Sequence, residues 1–446
     1  MPPTVAPAMF SLGCAQVDIT PPLGVSLAGY FHDRVAARVR DPLYVRALVL
    51  ATPDGDHADS IALVSMDLCA VTRLFVDEAK RRIHEELGIP PERVMVSATH
   101  THTGPEHRES RWVPAATEWR DGLPERIAEC VKRAAAGGFE GTLRPGSADV
   151  TGYAFNRITR LADGAEVFGP QSTDSYPLGP AGPVDPEMVT LAAVDMDGRL
   201  RALVVNFGLH VDVIGGGAAD FVSADWPGEM AKAVSAVYGE DVVTIFLQGT
   251  AGDVNQNPYD PTFLPTGGPA KAVQLGRALA GAAMMASERA EPMANATLDA
   301  ELLSLAIPYY TRDQAILDQA AAYRAKSQPT YFEHAFAEEV ENWRYDGETA
   351  EVGVQCLRVG DVGMATFPGE VFTGLGLELK RWSPAGLTMP VTLANDAVTS
   401  YFPTTDQAER GGYGAMPILS RFLVADAGRR MVDAAGAALQ RMWRTR

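Results

Sequence analysis

Apolar positions along the chain fall into short strand-like runs separated by segments of helical period. Ile61–Met66 is apolar but for one serine, the composition of a strand covered on both faces. Phe75, Val76, Ala79, Ile83 and Leu87 follow at helical spacing behind Thr72, a residue type that caps helices. Gly88 and the pair Pro90–Pro91 stop that helix, and Val94–Ala98 resumes a strand. Strand, helix, strand at this spacing predicts a βαβ crossover with parallel strands. Ligands in such sheets sit beyond the carboxyl ends of the strands, where Thr99–Pro105 falls.

The same theme continues downstream. Val189–Val194, Ala202–Phe207, Val242–Leu247, Val352–Val359 and Gly363–Phe367 read as strands. Helices are expected at Gly228–Val237, Ala270–Arg289 and Arg312–Ala325, and from Ile418 to near the end. Pro/Gly-rich stretches at Tyr176–Pro186 and Asn257–Pro269 lie between them, neither composed like a flexible linker. With no repeat and no linker, residues 1–446 read as a single α/β domain of mixed β-sheets flanked by helices.

Charge narrows the partners. Lys and Arg number 38 against 56 Asp and Glu, a net charge of -18. Such a surface repels nucleic-acid phosphates and anionic headgroups, and no basic cluster interrupts it. Neither nucleic acid nor membrane is expected as a partner. The N-terminal Met1–Met9 has three prolines and no basic start, so no signal peptide is expected and the cytoplasm is the expected location. The Ala-rich piece at Arg277–Ala286 is broken by Gly281 and flanked by charge, which suits a buried helix rather than a membrane span. Cys14, Cys69, Cys130 and Cys356 are scattered without CxxC pairing, and read as reduced and mostly buried.

Eight histidines are few for this length, so their placement carries information. His100 and His102 lie in Ala98-Thr99-His100-Thr101-His102-Thr103-Gly104-Pro105. If the strand persists, alternate residues share a face. One imidazole could then hold a metal while the other exchanges a proton with bound water, or both could reach one metal. A solvated loop explains the pair equally simply. His210 follows an apolar strand, and a core histidine would fit there too. Glu370, in Phe367-Pro368-Gly369-Glu370, could owe its place to a following helix N-terminus, and Tyr401 to a core. There is no GxSxG elbow, no second histidine for His84-Glu85-Glu86, and no phosphate-binding glycine loop.

Taken in order, the motifs resemble the catalytic domain of the neutral (non-lysosomal) ceramidase family. The matching pieces begin with Gly13, Val17-Asp18-Ile19-Thr20-Pro21 and Gly29-Tyr30. The most specific is Val96-Ser97-Ala98-Thr99-His100-Thr101-His102-Thr103-Gly104-Pro105. Asn156-Arg157, Val184-Asp185, His210 and Ser223-Ala224-Asp225 follow. Gln248-Gly249-Thr250-Ala251-Gly252-Asp253-Val254, Pro368-Gly369-Glu370, Tyr401 and Tyr413 complete the set.

The resemblance implies one catalytic zinc, Zn2+, held by His100, His210, Glu370 and Tyr401. It places His102, Arg157 and Tyr413 where the family handles the scissile carbonyl and the proton. The chemistry agrees: zinc lowers the pKa of a bound water, an imidazole moves its proton, and an arginine and a tyrosine stabilise an oxyanion. The chain departs from the family in three places. Asn255 stands where a serine is usual, which favours attack by metal-bound water. Ser223-Ala224-Asp225-Trp226 replaces Ser-Gly-Asp-Asn and changes the wall near His210. The family's C-terminal β-sandwich domain is not expected here, the chain ending in a helix with Arg441, Arg444 and Arg446. With the acidic surface, this points to a zinc-dependent amidohydrolase cleaving a linear amide of a soluble N-acyl small molecule. An ester or lactone hydrolase using the same water, a true ceramidase and a non-catalytic binding protein are the alternatives.

Overall fold

A computed structural model describes residues 6–109, 112–169, 175–258 and 267–444. Most of Asn257–Pro269, the two end residues of the chain and Met1–Val5 lie outside the described residues.

The strands expected at Ile61–Met66 and Val94–Ala98 form at those bounds, as β3 and β4 of an eight-stranded sheet. The others are β1 (Phe10–Asp18), β2 (Tyr44–Ala51), β5 (Phe139–Asp149), β6 (Glu187–Asp195), β7 (Leu200–Phe207) and β8 (Val243–Gln248). Their order is β8-β7-β6-β5-β1-β2-β3-β4. The two end pairs, β3/β4 and β7/β8, are parallel, and the pairs between them are antiparallel. Helix α1 (Arg73–Leu87) makes the β3–β4 crossover, burying Phe75, Val76, Ala79 and Ile83 on one face. Burial of each of the larger side chains contributes about 1.5–3 kcal/mol. Thr72 occupies the N-cap position but its hydroxyl makes no cap bond, while Gly88 closes the helix with φ 76°.

Helix α2 (Leu123–Ala136) packs beside α1 against β1 and β2. The approach is close: a Cβ at Gly13 on β1 would stand 1.9 Å from the Ala134 carbonyl oxygen. Helix α3 (Asp225–Tyr238) makes the β7–β8 crossover, and α4 (Pro269–Arg289) lies against it. The sheet curls far enough for its ends to meet, since the Ser65 hydroxyl on β3 donates to the Phe246 carbonyl on β8 at 2.6 Å. Carboxyl ends from opposite ends of the strand order thereby come together.

A second sheet of β9 (Leu298–Pro308), β10 (Thr349–Val359), β11 (Val362–Phe367) and β12 (Leu387–Thr392) packs on the first. Leu63, Leu191, Ile245, Leu357, Met364 and Val391 share the apolar layer between the sheets. Between β9 and β10 lies a helical hairpin of α5 (Gln314–Arg324) and α6 (Tyr331–Asn342). Helix α7 (Thr373–Trp382) links the parallel pair β11/β12, and α8 (Ala427–Arg444) covers the outer face. The C-terminal helix does not begin at Ile418 as expected. Ile418 has φ 69°, and the segment up to Val424 forms turns and isolated bridges before the helix starts. The architecture is mixed sheets flanked by helices, and no helix among the described residues is long and apolar enough to cross a membrane.

Candidate metal centre and its surroundings

Each crossover has a strand-end loop that carries a candidate ligand. His100 lies two residues beyond β4, His210 three beyond β7, and Glu370 three beyond β11. The strand does not persist through His100–His102. It ends at Ala98, and His100 takes φ 77°, a left-handed conformation that costs a non-glycine residue about 1–2 kcal/mol. The two imidazoles nevertheless meet, with ring centroids 4.7 Å apart, because of that kink rather than strand alternation.

Nε2 of His100 is 3.2 Å from Nε2 of His210 and 3.3 Å from Oε2 of Glu370. Nδ1 of His210 is 3.8 Å from that same oxygen. Ligands about 2.0–2.2 Å from a tetrahedral zinc stand about 3.3–3.6 Å from one another. Glu370 Oε2 is buried and makes no hydrogen bond; the Arg157 guanidinium meets its charge only at 3.7 Å, so a bound cation would satisfy it further. These three residues therefore fit a metal. His100 Nδ1 is tied to the Cys69 carbonyl oxygen at 2.7 Å, which leaves Nε2 free to ligate.

Tyr401 lies beside Glu370. Its strand pairs with Glu370 in register, but its hydroxyl bonds Arg157 Nη2 and the Tyr413 hydroxyl, each at 3.2 Å. Burial and the Glu370 charge hold this phenol well above its ordinary pKa. Arg157 is buried, donates to the Gly252 carbonyl at 2.8 Å and stands 3.7 Å from Glu370 Oε2. It is held there by the loop containing Asp253, whose carboxylate accepts from Asn156 at 2.8 Å and from the Thr373 N–H at 2.8 Å. All seven residues singled out in the sequence are thus brought into one contiguous group.

His102 Nε2 is 3.3 Å from His100 Nε2, and His102 clusters with His100 and Cys69, whereas His100 also clusters with His210 and Glu370. Burial and His100 push its imidazole well below the ordinary pKa. Its backbone is braced by Arg34, which donates to the His102 carbonyl at 2.8 Å and lies over the Tyr30 ring. Gly29 is required beside it: with φ 97°, a Cβ there would be 2.3 Å from His102 Nδ1. The altered motif near His210 also has a visible role. Trp226 Nε1 donates to the His210 carbonyl at 3.1 Å, and Asp225 (φ 55°) accepts from the N–H groups of Val213 and Ile214.

Sequence reasoning missed Asp212 and Cys69. Asp212 lies two residues past a candidate ligand, a spacing that could have raised it; Cys69 follows β3 just as His100 follows β4. All four cysteines are free, and Cys14 alone is not buried. A cavity of about 570 Å³ opens onto His100, His102, Glu370 and Tyr401. Its wall is mixed: Phe31, Trp112, Phe332, Leu419 and Phe422 are apolar, while Glu106, Arg108, Glu109 and Glu339 bring charge.

Comparison with known proteins identifies the family and the fold. The family model described as neutral/alkaline non-lysosomal ceramidase, N-terminal, matches residues 10–270. Neutral ceramidase 2 of Arabidopsis thaliana is 28% identical over 100 residues, covering 22% of this chain and only 13% of that protein. The crystal structure of a neutral ceramidase from Pseudomonas aeruginosa superposes with a TM-score of 0.74 at 18% identity, over 98% of this chain and 75% of that one. A ceramidase complexed with C2 gives 0.75 at 18% identity, over 97% and 76%. At that identity the structures speak for the fold, and the model match for the kinship: the chain belongs to the neutral/alkaline non-lysosomal ceramidase family.

Proposed function

We propose that the chain is a zinc-dependent hydrolase of a linear N-acyl amide, the metal held by His100, His210 and Glu370 with Tyr401 beside them. The observation that carries this is the buried Glu370 Oε2, without a hydrogen bond, facing His100 Nε2 at 3.3 Å and His210 Nδ1 at 3.8 Å. Zinc, when bound, would polarise the carbonyl and lower the pKa of the attacking water. The chain's own groups supply the rest. His102 Nε2 accepts the water's proton as the C–O bond forms and returns it to the amine nitrogen as C–N breaks. Arg157, with the hydroxyls of Tyr401 and Tyr413 next to it, offsets negative charge developing on the carbonyl oxygen. The aromatic side chains in the cavity wall would seat an apolar acyl group.

The soluble substrate suggested by surface charge yields to a ceramide-type N-acyl lipid. Two considerations support this: the named relatives are ceramidases, and Phe31, Trp112, Phe332, Leu419 and Phe422 give one part of the cavity an apolar surface beside its charged residues. The test is to load the purified chain with zinc and compare N-acyl sphingoid bases of increasing acyl length with short water-soluble amides and matched esters. Turnover of the lipid amides above both other sets is expected. A zinc-loaded protein that cleaves no amide would overturn the proposal.

A further inference from the structure

The group that orients His102 has no place in the roles above. Its Nδ1 is buried without a hydrogen bond. Facing that atom is Oδ2 of Asp212, 3.6 Å away, and the same oxygen accepts the Tyr30 hydroxyl at 2.5 Å. Tyr30 also packs edge-on to the His102 ring, centroids 5.7 Å apart, with the Arg34 guanidinium 4.4 Å from the Tyr30 ring centroid. The ring is thus enclosed by Gly29, Tyr30 and Asp212, and its other nitrogen, Nε2, points to His100.

We propose that Asp212 is a positioning residue that holds His102 as the Nδ1–H tautomer, leaving the Nε2 lone pair toward the reacting centre. A 3.6 Å gap is longer than a hydrogen bond, and catalytic hydrogen bonds are commonly long before substrate binds. An imidazole with a carboxylate on one nitrogen is fixed in tautomer and ring orientation, and its cation is stabilised when it takes a proton. The Tyr30 hydroxyl keeps Asp212 directed inward. In the proton cycle, Nε2 gains the water's proton and passes it to the amine nitrogen, while the Nδ1–H stays directed at Asp212. If Asp212 served only to hold Tyr30, an amide of the same shape would do nearly as well, because its carbonyl oxygen also accepts from a hydroxyl.

The inference rests on His102 as the proton-moving group, and the experiment separates the two. Histidine ring nitrogens are labelled with ¹⁵N in the full chain, and the His102 signals are identified by their loss in His102→Ala. The expected wild-type spectrum, metal-free and zinc-loaded alike, shows protonated Nδ1 and unprotonated Nε2. Asp212→Asn should move His102 toward the Nε2–H form and lower kcat by about 10²-fold or more with KM nearly unchanged. Asp212→Glu should restore the Nδ1–H signal and part of the rate, and thermal melts report whether each variant is folded. A wild-type His102 in the Nε2–H form, or an Asp212→Asn protein with unaltered tautomer and kcat, would overturn the inference; with His102→Ala giving the assignment, the wild-type spectrum decides even if neither Asp212 variant folds. Full activity in His102→Ala would instead sink the role assigned to His102, whatever its tautomer.

Discussion

The β3–α1–β4 and β7–α3–β8 crossovers have the same topology at opposite ends of the strand order, yet they hand out their histidines differently. In the first, His100 and His102 follow the second strand, and the loop after the first strand contributes the Cys69 carbonyl that fixes His100. In the second, His210 follows the first strand and is steadied by Trp226, at the start of the crossover helix. Each places one non-glycine residue in the left-handed region, His100 at φ 77° and Asp225 at φ 55°. The helices differ too. Helix α1 buries a cation, Lys80, whose pKa burial depresses to about 8, and α3 buries a carboxylate, Asp225, whose pKa burial raises to about 7. A βαβ unit therefore fixes where a loop opens but leaves open which loop bears the ligand, and backbone strain at one residue does the aiming.

The largest effect should come from removing a ligand on either side. His100→Ala and His210→Ala are each expected to abolish amide hydrolysis and to empty the site, read as zinc per chain by elemental analysis. If only one lost zinc, the equivalence of the two crossovers would fail. His102→Ala should lower kcat by about 10²–10⁴-fold while zinc content stays at the wild-type level. Loss of metal there would move His102 into the ligand set.

Gly29→Ala asks whether the first crossover depends on ring placement alone. The new methyl would collide with His102 Nδ1, and a displacement near 1 Å costs about 10²-fold in rate, with zinc retained. An unchanged kcat would mean that the ring has room to move. The smallest effect concerns α1. Lys80 has a folded pKa below its unfolded value, so its charge destabilises the native state fully below pH 8. That penalty fades as pH rises toward the unfolded pKa of about 10.4. Lys80→Met should therefore add about 1–2 kcal/mol at pH 7 and less at pH 10, measured by urea unfolding at both. A gain independent of pH would place the cause in packing rather than charge.

The first crossover was legible because its strands are continuous apolar runs and its helix has one clean face. Other elements hide their pattern. Strand β5, Phe-Glu-Gly-Thr-Leu-Arg-Pro-Gly-Ser-Ala-Asp, carries a proline and two glycines, breakers that tertiary pairing with β1 and β6 overrides. Strand β1 contains Gly13, whose missing side chain makes sense only beside α2. Periodicity could not supply the site, since His100, His210 and Glu370 are far apart in sequence and meet only because one sheet curls and another packs on it. Motif resemblance supplied those residues. The extended geometry expected at His100 failed because a local kink, invisible in composition, replaces it. Asp212 escaped notice because a lone aspartate after a histidine has no signature until Tyr30 and His102 are seen around it.

The convergence of donors from three crossovers also bears on how the protein survives in a zinc-poor environment. One cation bridging the β4, β7 and β11 loops would act as a cross-link among segments that otherwise separate independently, and its binding free energy would add to that of folding. At a free zinc concentration 100 times the dissociation constant, the gain is about 2.7 kcal/mol. That is a sizeable share of the roughly 5–15 kcal/mol that keeps a typical domain folded. Chains made during zinc starvation should open at this seam first, exposing the loops around His100 and His210 to proteases. Abundance in the cell would then follow zinc supply.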